Sequence, residues 1–215
     1  AAYVVPTYVA DMVSLLARLD AQVVDWVGTS MGGLIGLGLA SLDGAPVRKL
    51  VLNDVGPVIE AAALQRIGSY VGQSGFWRTL DEAADALWAL SQGFGAHSRE
   101  QWLALTAPQL KPAMRDGVEG FTTRVDPGIG VPFRAITPEL AKAGEAMLWQ
   151  AYDRLRCQTL LLRGAQSDLL SADTARVMTQ RGPRAQLHEF AGVGHAPTLV
   201  HDDQIEVLRR FLLSP

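Results

Sequence analysis

Gly28-Thr29-Ser30-Met31-Gly32 separates an apolar run that reads as a strand, Val23 to Val27, from one that reads as a helix, Leu34 to Leu42. A turn passing directly from strand to helix strains its central residue and closes only when the residues two before and two after it are very small. Gly28 and Gly32 satisfy that demand, which makes Ser30 a candidate nucleophile. The strain lifts its hydroxyl out of the sheet, and the helix that follows offers backbone N–H groups and a positive dipole end to a nearby oxyanion.

The flanking pattern sets the fold class. Thr7 to Leu19 carries Val9, Met12, Val13 and Leu16 at helical spacing, and Val47 to Leu52 reads as a second strand after the breakers Asp43-Gly44-Ala45-Pro46. Strand, helix and strand in succession form a βαβ unit with parallel pairing. Two further strands are expected at Thr159 to Arg163 and Gln186 to Phe190, with helices from about Ser171 to Gln180 and from Asp203 to Leu213. The alternation is that of a doubly wound, mostly parallel α/β sheet. Residues 57–151 interrupt it with four of the five tryptophans (Trp77, Trp88, Trp102, Trp149) and little that alternates like a strand. They read as an inserted helical lid, which divides the chain into a discontinuous core, 1–56 and 152–215, and the lid.

Composition excludes several functions. At 215 residues, 48% apolar and net charge −3, the chain suits one domain with a sizeable core and has no basic patch for nucleic acid or anionic membrane surfaces. Asp11, Arg18, Asp20 and Asp25 interrupt the opening before any bilayer-spanning length accumulates. The only cysteine, Cys157, allows no intrachain disulfide and suggests a reducing, cytoplasmic setting. No His, Asp and Glu cluster has metal-ligand spacing, and the glycine turn has neither the G-x-G-x-x-G spacing nor the lysine of a phosphate loop, so no metal or other cofactor is expected. A homo-oligomer stays open.

A serine hydroxyl needs an adjacent imidazole held by a carboxylate. His195, in Gly192-Val193-Gly194-His195-Ala196-Pro197, follows the last strand and so lies at the carboxyl edge of the sheet, where Ser30 emerges. His97, His188 and His201 read as structural or solvated. For the carboxylate, Asp168 in Gly164-Ala165-Gln166-Ser167-Asp168-Leu169 is preferred. Asp54, at the end of the second strand, is the variant arrangement, and Asp173 reads as a helix-start charge.

Gly28-Thr29-Ser30-Met31-Gly32-Gly33, then Gly164 to Asp168, then Gly192-Val193-Gly194-His195, resembles the nucleophile elbow, acid loop and histidine loop of the α/β-hydrolase superfamily in their chain order. The resemblance implies attack by Ser30, proton transfer through His195 held by Asp168, and an acyl-enzyme. It also implies an oxyanion held by the Met31 backbone N–H and a second donor from a loop after an earlier strand. That donor is not in this sequence: four strands normally precede the elbow, whereas 29 residues precede Ser30, so an amino-terminal half-sheet is expected to be missing. Large apolar lid residues suit a small apolar acyl substrate, an ester, a thioester or a C–C bond beside a ketone. Arg124 and Arg134 read as surface cations, with a substrate-carboxylate clamp as the alternative. Serine at position 30 argues against the dehalogenase branch. A ligand-binding member of the fold, or a cofactor-free oxygenase or acyltransferase, remains as an alternative of another class.

Overall fold

The computed structural model describes residues 3–135 and 137–214. Helix α1 (Val5–Leu16) leads to strand β1 (Val24–Thr29), helix α2 (Met31–Ala40) and strand β2 (Val47–Asn53). The inserted stretch holds α3 (Ala61–Gly68), α4 (Leu80–Leu90), α5 (Arg99–Thr106), β3 (Leu110–Arg115), β4 (Val118–Thr123), α6 (Gly130–Arg134) and most of α7 (Pro138–Arg154), which continues past residue 151. Strand β5 (Gln158–Gly164), α8 (Ala172–Met178), β6 (Gln186–Phe190) and α9 (Asp202–Leu213) complete the chain.

Among the described residues, the main sheet runs β1-β2-β5-β6 with every pairing parallel. Its central strands are apolar without alternation because both faces are covered. Leu50, Leu52 and Leu161 pack with Leu37, Tyr152 and Met178 on one side, and Val51, Leu160 and Leu162 pack with Phe190 and Phe211 on the other. β1 is an edge strand, with Val27 43% exposed and Val23, just before it, 60%. Parallel order sends the loops after β1, β2, β5 and β6 to the same edge, which brings distant parts of the chain together there.

The inserted stretch is not wholly helical. β3 and β4 form an antiparallel hairpin turned at Asp116-Gly117, and Trp77 bridges to Phe121 beside it. Leu110–Arg115 contains Lys111 and Pro112 and is mostly exposed, so it carries no period-2 apolar signal.

The strand-to-helix turn closes through a different glycine pair from the one its spacing suggests. A Cβ on Gly28 would stand 2.3 Å from the Gly32 carbonyl oxygen and 2.5 Å from the Gly33 nitrogen, and one on Gly33 would stand 2.5 Å from Val55 Cγ1. Around Gly32 a Cβ meets nothing within 4 Å. The crowding therefore lies between β1 and the first turn of α2, at Gly28 and Gly33. Gly28→Ala should cost about 3 kcal/mol, because backbone atoms cannot make room. Gly32→Ala should change stability by less than about 1 kcal/mol. Denaturant midpoints of the two variants measure the contrast.

Candidate active site

Ser30 occupies φ 52°, ψ −120°, a backbone region that non-glycine residues rarely adopt. Its N–H donates to the Asn53 carbonyl (3.0 Å), which ties the turn to the end of β2. α2 begins at Met31, so the first N–H groups of that helix, with no intrahelical acceptor of their own, lie beside the hydroxyl.

The Ser30 hydroxyl donates to His195 Nε2 at 3.0 Å, and His195 Nδ1–H donates to Asp54 Oδ2 at 2.7 Å. The acceptor-only carboxylate fixes the tautomer: Nδ1 carries the proton and Nε2 is left bare to accept the serine proton. The Asp54 side chain is fully buried and that of His195 only 9% exposed. Two further donors hold the carboxylate, the Gly164 backbone N–H on Oδ1 (2.9 Å) and the Ser167 hydroxyl on Oδ2 (2.6 Å). Ser167 Oγ in turn accepts from the backbone N–H groups of Leu169 (3.2 Å) and Leu170 (3.1 Å).

Asp168, the carboxylate preferred from its loop, lies away from this relay. Arg66 on α3 grips it with two bonds, Nε to Oδ2 at 2.7 Å and Nη2 to Oδ1 at 2.9 Å, in a pair that is nearly half exposed. The correction has two physical causes. β2 lies between β1 and β5, so the residue after β2 reaches the imidazole directly. Asp54 also adopts φ 56°, a left-handed conformation that aspartate tolerates. Asp173, in the first turn of α8, pairs with Arg176.

The histidine loop is anchored from several sides. Asn53, wholly buried, donates from Nδ2 to Thr29 Oγ1 (2.9 Å) and to the Pro197 carbonyl (2.8 Å). Gly194 N–H donates to the Gly93 carbonyl, and His97 bonds through Nε2 to Thr198 Oγ1 at 2.7 Å. Burial holds the His97 imidazole below its ordinary pKa, which favours the neutral ring with Nδ1–H on the Gly95 carbonyl (2.9 Å). His188 is exposed on β6, and His201 precedes α9. Ser167 and Asn53 escaped the sequence reading. A hydroxyl in the loop after β5 and an amide at the end of β2 were the available signals.

Ser30 and Met31 open onto a cavity of about 570 Å³, lined mainly by apolar side chains of α1, α2, α3, α6 and α7. Arg124 and Arg134 are exposed and do not line it. Among the described residues no group of three or more His, Cys, Asp or Glu side chains gathers to hold a metal ion, and no helix is long and apolar enough to cross a membrane.

A parallel α/β sheet with a serine on the turn after one strand and a histidine in the loop after another defines a hydrolase class. The model of the alpha/beta hydrolase family matches residues 2–210, and the chain belongs to that family and is an enzyme of the hydrolase class. A 3-hydroxybutyrate-oligomer hydrolase of Cupriavidus necator is 49% identical over 210 residues, covering 97% of this chain and 71% of the relative. A 2-hydroxymuconate semialdehyde hydrolase of a Pseudomonas species is 26% identical over 198 residues, covering 90% of this chain and 63% of the relative. An alpha/beta hydrolase structure from Novosphingobium aromaticivorans superposes with a TM-score of 0.83 at 33% identity, covering 98% of this chain and 72% of that one.

Replacing Ser167 with alanine removes one donor from Asp54 and strands the Leu169 and Leu170 N–H groups, so Ser167→Ala should lose about 1–3 kcal/mol of stability. Asp168→Asn weakens only an exposed ion pair and should cost about 1 kcal/mol or less. Urea unfolding of both variants checks the ranking.

Proposed function

We propose that this chain is a serine esterase in which Ser30, His195 and Asp54 form the catalytic relay, with an acyl-enzyme intermediate and carboxylic esters of small hydroxy acids as substrates. The observation that carries the reading is the continuous hydrogen-bond chain from the Ser30 hydroxyl through both ring nitrogens of His195 to the buried carboxylate of Asp54, at the floor of an apolar cavity. In this reading Ser30 Oγ attacks the ester carbonyl carbon while Nε2 of His195 takes its proton. Asp54 stabilises the resulting imidazolium without accepting the proton itself. The Met31 backbone N–H faces the developing oxyanion at the start of α2. His195 then returns the proton to the leaving alkoxide, and a water activated by the same nitrogen hydrolyses the acyl-enzyme.

The 49% identity to a 3-hydroxybutyrate-oligomer hydrolase supports an ester bond between hydroxy-acid units as the target. A second reading, hydrolysis of a C–C bond beside a ketone on the same relay, draws support from the 26% identity to a 2-hydroxymuconate semialdehyde hydrolase. Residues 57–151 serve as the lid in either reading, with α3, α6 and α7 forming the wall opposite the serine.

The test is turnover of a 3-hydroxybutyrate dimer and of 2-hydroxymuconate semialdehyde by the wild type and three variants. Ser30→Ala should lose at least about a thousandfold in kcat, and Asp54→Asn about a thousandfold or more. Asp168→Asn should stay within about threefold of wild type. Equal rates for wild type and Ser30→Ala would end the esterase assignment, and an Asp168→Asn loss as large as that of Asp54→Asn would displace Asp54 from the relay.

A further inference from the structure

Helix α7 crosses the cavity with Ala141, Gly144, Glu145 and Leu148 among the lining residues, at the i, i+3, i+4, i+7 spacing of one helical face. Three of these are small or apolar, as the rest of the wall requires. Glu145 is not, and it is half-buried on that stripe. Lys142 and Glu145 are the charged side chains among the lining residues, and Lys142 lies at the exposed margin. Among the described residues Glu145 forms no ion pair within 4.0 Å, and Lys142 one turn away does not close on it. A carboxylate in a mostly apolar pocket that, among the described residues, receives no protein donor needs solvent or a ligand donor.

That placement discriminates among acyl groups. A plain alkyl chain would strip water from Glu145 and give no donor in exchange, which penalises it. A free carboxylate placed against Glu145 would meet like charge there. An acyl group with a hydroxyl meets the carboxylate with an O–H donor and forms a charge-assisted bond. Cleavage of an ester between two hydroxy-acid units leaves the hydroxyl-bearing unit on the serine and the carboxyl-bearing unit as the leaving alcohol, which suits this polarity.

We propose that Glu145 is the specificity residue that accepts the hydroxyl of a hydroxyacyl substrate and thereby selects hydroxyacyl over plain acyl esters. The inference rests on the esterase reading and deepens it. Glu145 holds substrate and takes no part in bond making or breaking.

Methyl 3-hydroxybutyrate and methyl butyrate form a matched pair that differs by the one hydroxyl. The wild type should favour the hydroxylated ester by roughly tenfold in kcat/KM, the scale of one hydrogen bond to a charged acceptor in a partly wet site. Glu145→Gln, whose amide oxygen still accepts, should keep part of that ratio, and Glu145→Leu should erase or reverse it. A readout independent of turnover comes from titrating both esters into Ser30→Ala, with and without Glu145→Leu, followed by amide chemical shifts. Tighter binding of the hydroxylated ester that vanishes with Glu145→Leu supports the assignment, even if the wild type hydrolyses neither ester. That second result would count against the esterase reading alone. An unchanged kcat/KM ratio in Glu145→Leu, or equal affinities of the two esters for Ser30→Ala, overturns it.

Discussion

One buried hydrogen bond, from His195 Nδ1 to Asp54 Oδ2, organises the carboxyl edge of the sheet. With that proton committed, the opposite ring nitrogen has to accept, and the Ser30 hydroxyl is the donor in reach. The bond lasts only if the carboxylate cannot turn away. The Gly164 N–H and the Ser167 hydroxyl hold Asp54 from the β5 side, and the Asp54 N–H donates to the Leu162 carbonyl at 2.8 Å. Asp54 directly follows β2 and pairs with Leu162 and Gly164 of β5, so sheet register fixes the carboxylate more tightly than a free loop would.

Much of this was legible in the sequence because the signals are local. The strand Gln186–Phe190 matches its expected bounds, and β1, α2, β2, β5 and α9 fall within a few residues of theirs, since apolar runs in β1, α2 and β5 and helical spacing of apolar residues in α9 are local signals. The strained turn at Ser30 follows from the residues themselves. Two features were not legible for a shared reason. Whether Asp54 or Asp168 faces His195 depends on strand order and on a left-handed backbone at Asp54, and neither leaves a mark on residue spacing. The β3–β4 hairpin is short, polar and partly exposed, so its strands do not alternate in hydropathy.

The glycines carry a related lesson. Spacing around a nucleophile suggests a symmetric need for small residues, yet the crowding is asymmetric. The Cβ that cannot exist belongs to Gly28 on one side and to Gly33, against Val55, on the other. The demand is for close approach between a strand and the helix that leaves it, and the helical rotation at α2 moves that approach one residue along.

The ties between the inserted stretch and the histidine loop reach further. Gly93 and His97 are bonded to Gly194 and Thr198 on either side of His195, so the α4–α5 connection is mechanically part of what holds the His195 loop. A wall that swung open there would drag the imidazole off the serine. Helix α7 is fastened elsewhere, through the Tyr152 hydroxyl on the Met178 carbonyl (2.6 Å) and the Asp153–Arg181 pair, so the two ends of the insertion answer to different parts of the sheet.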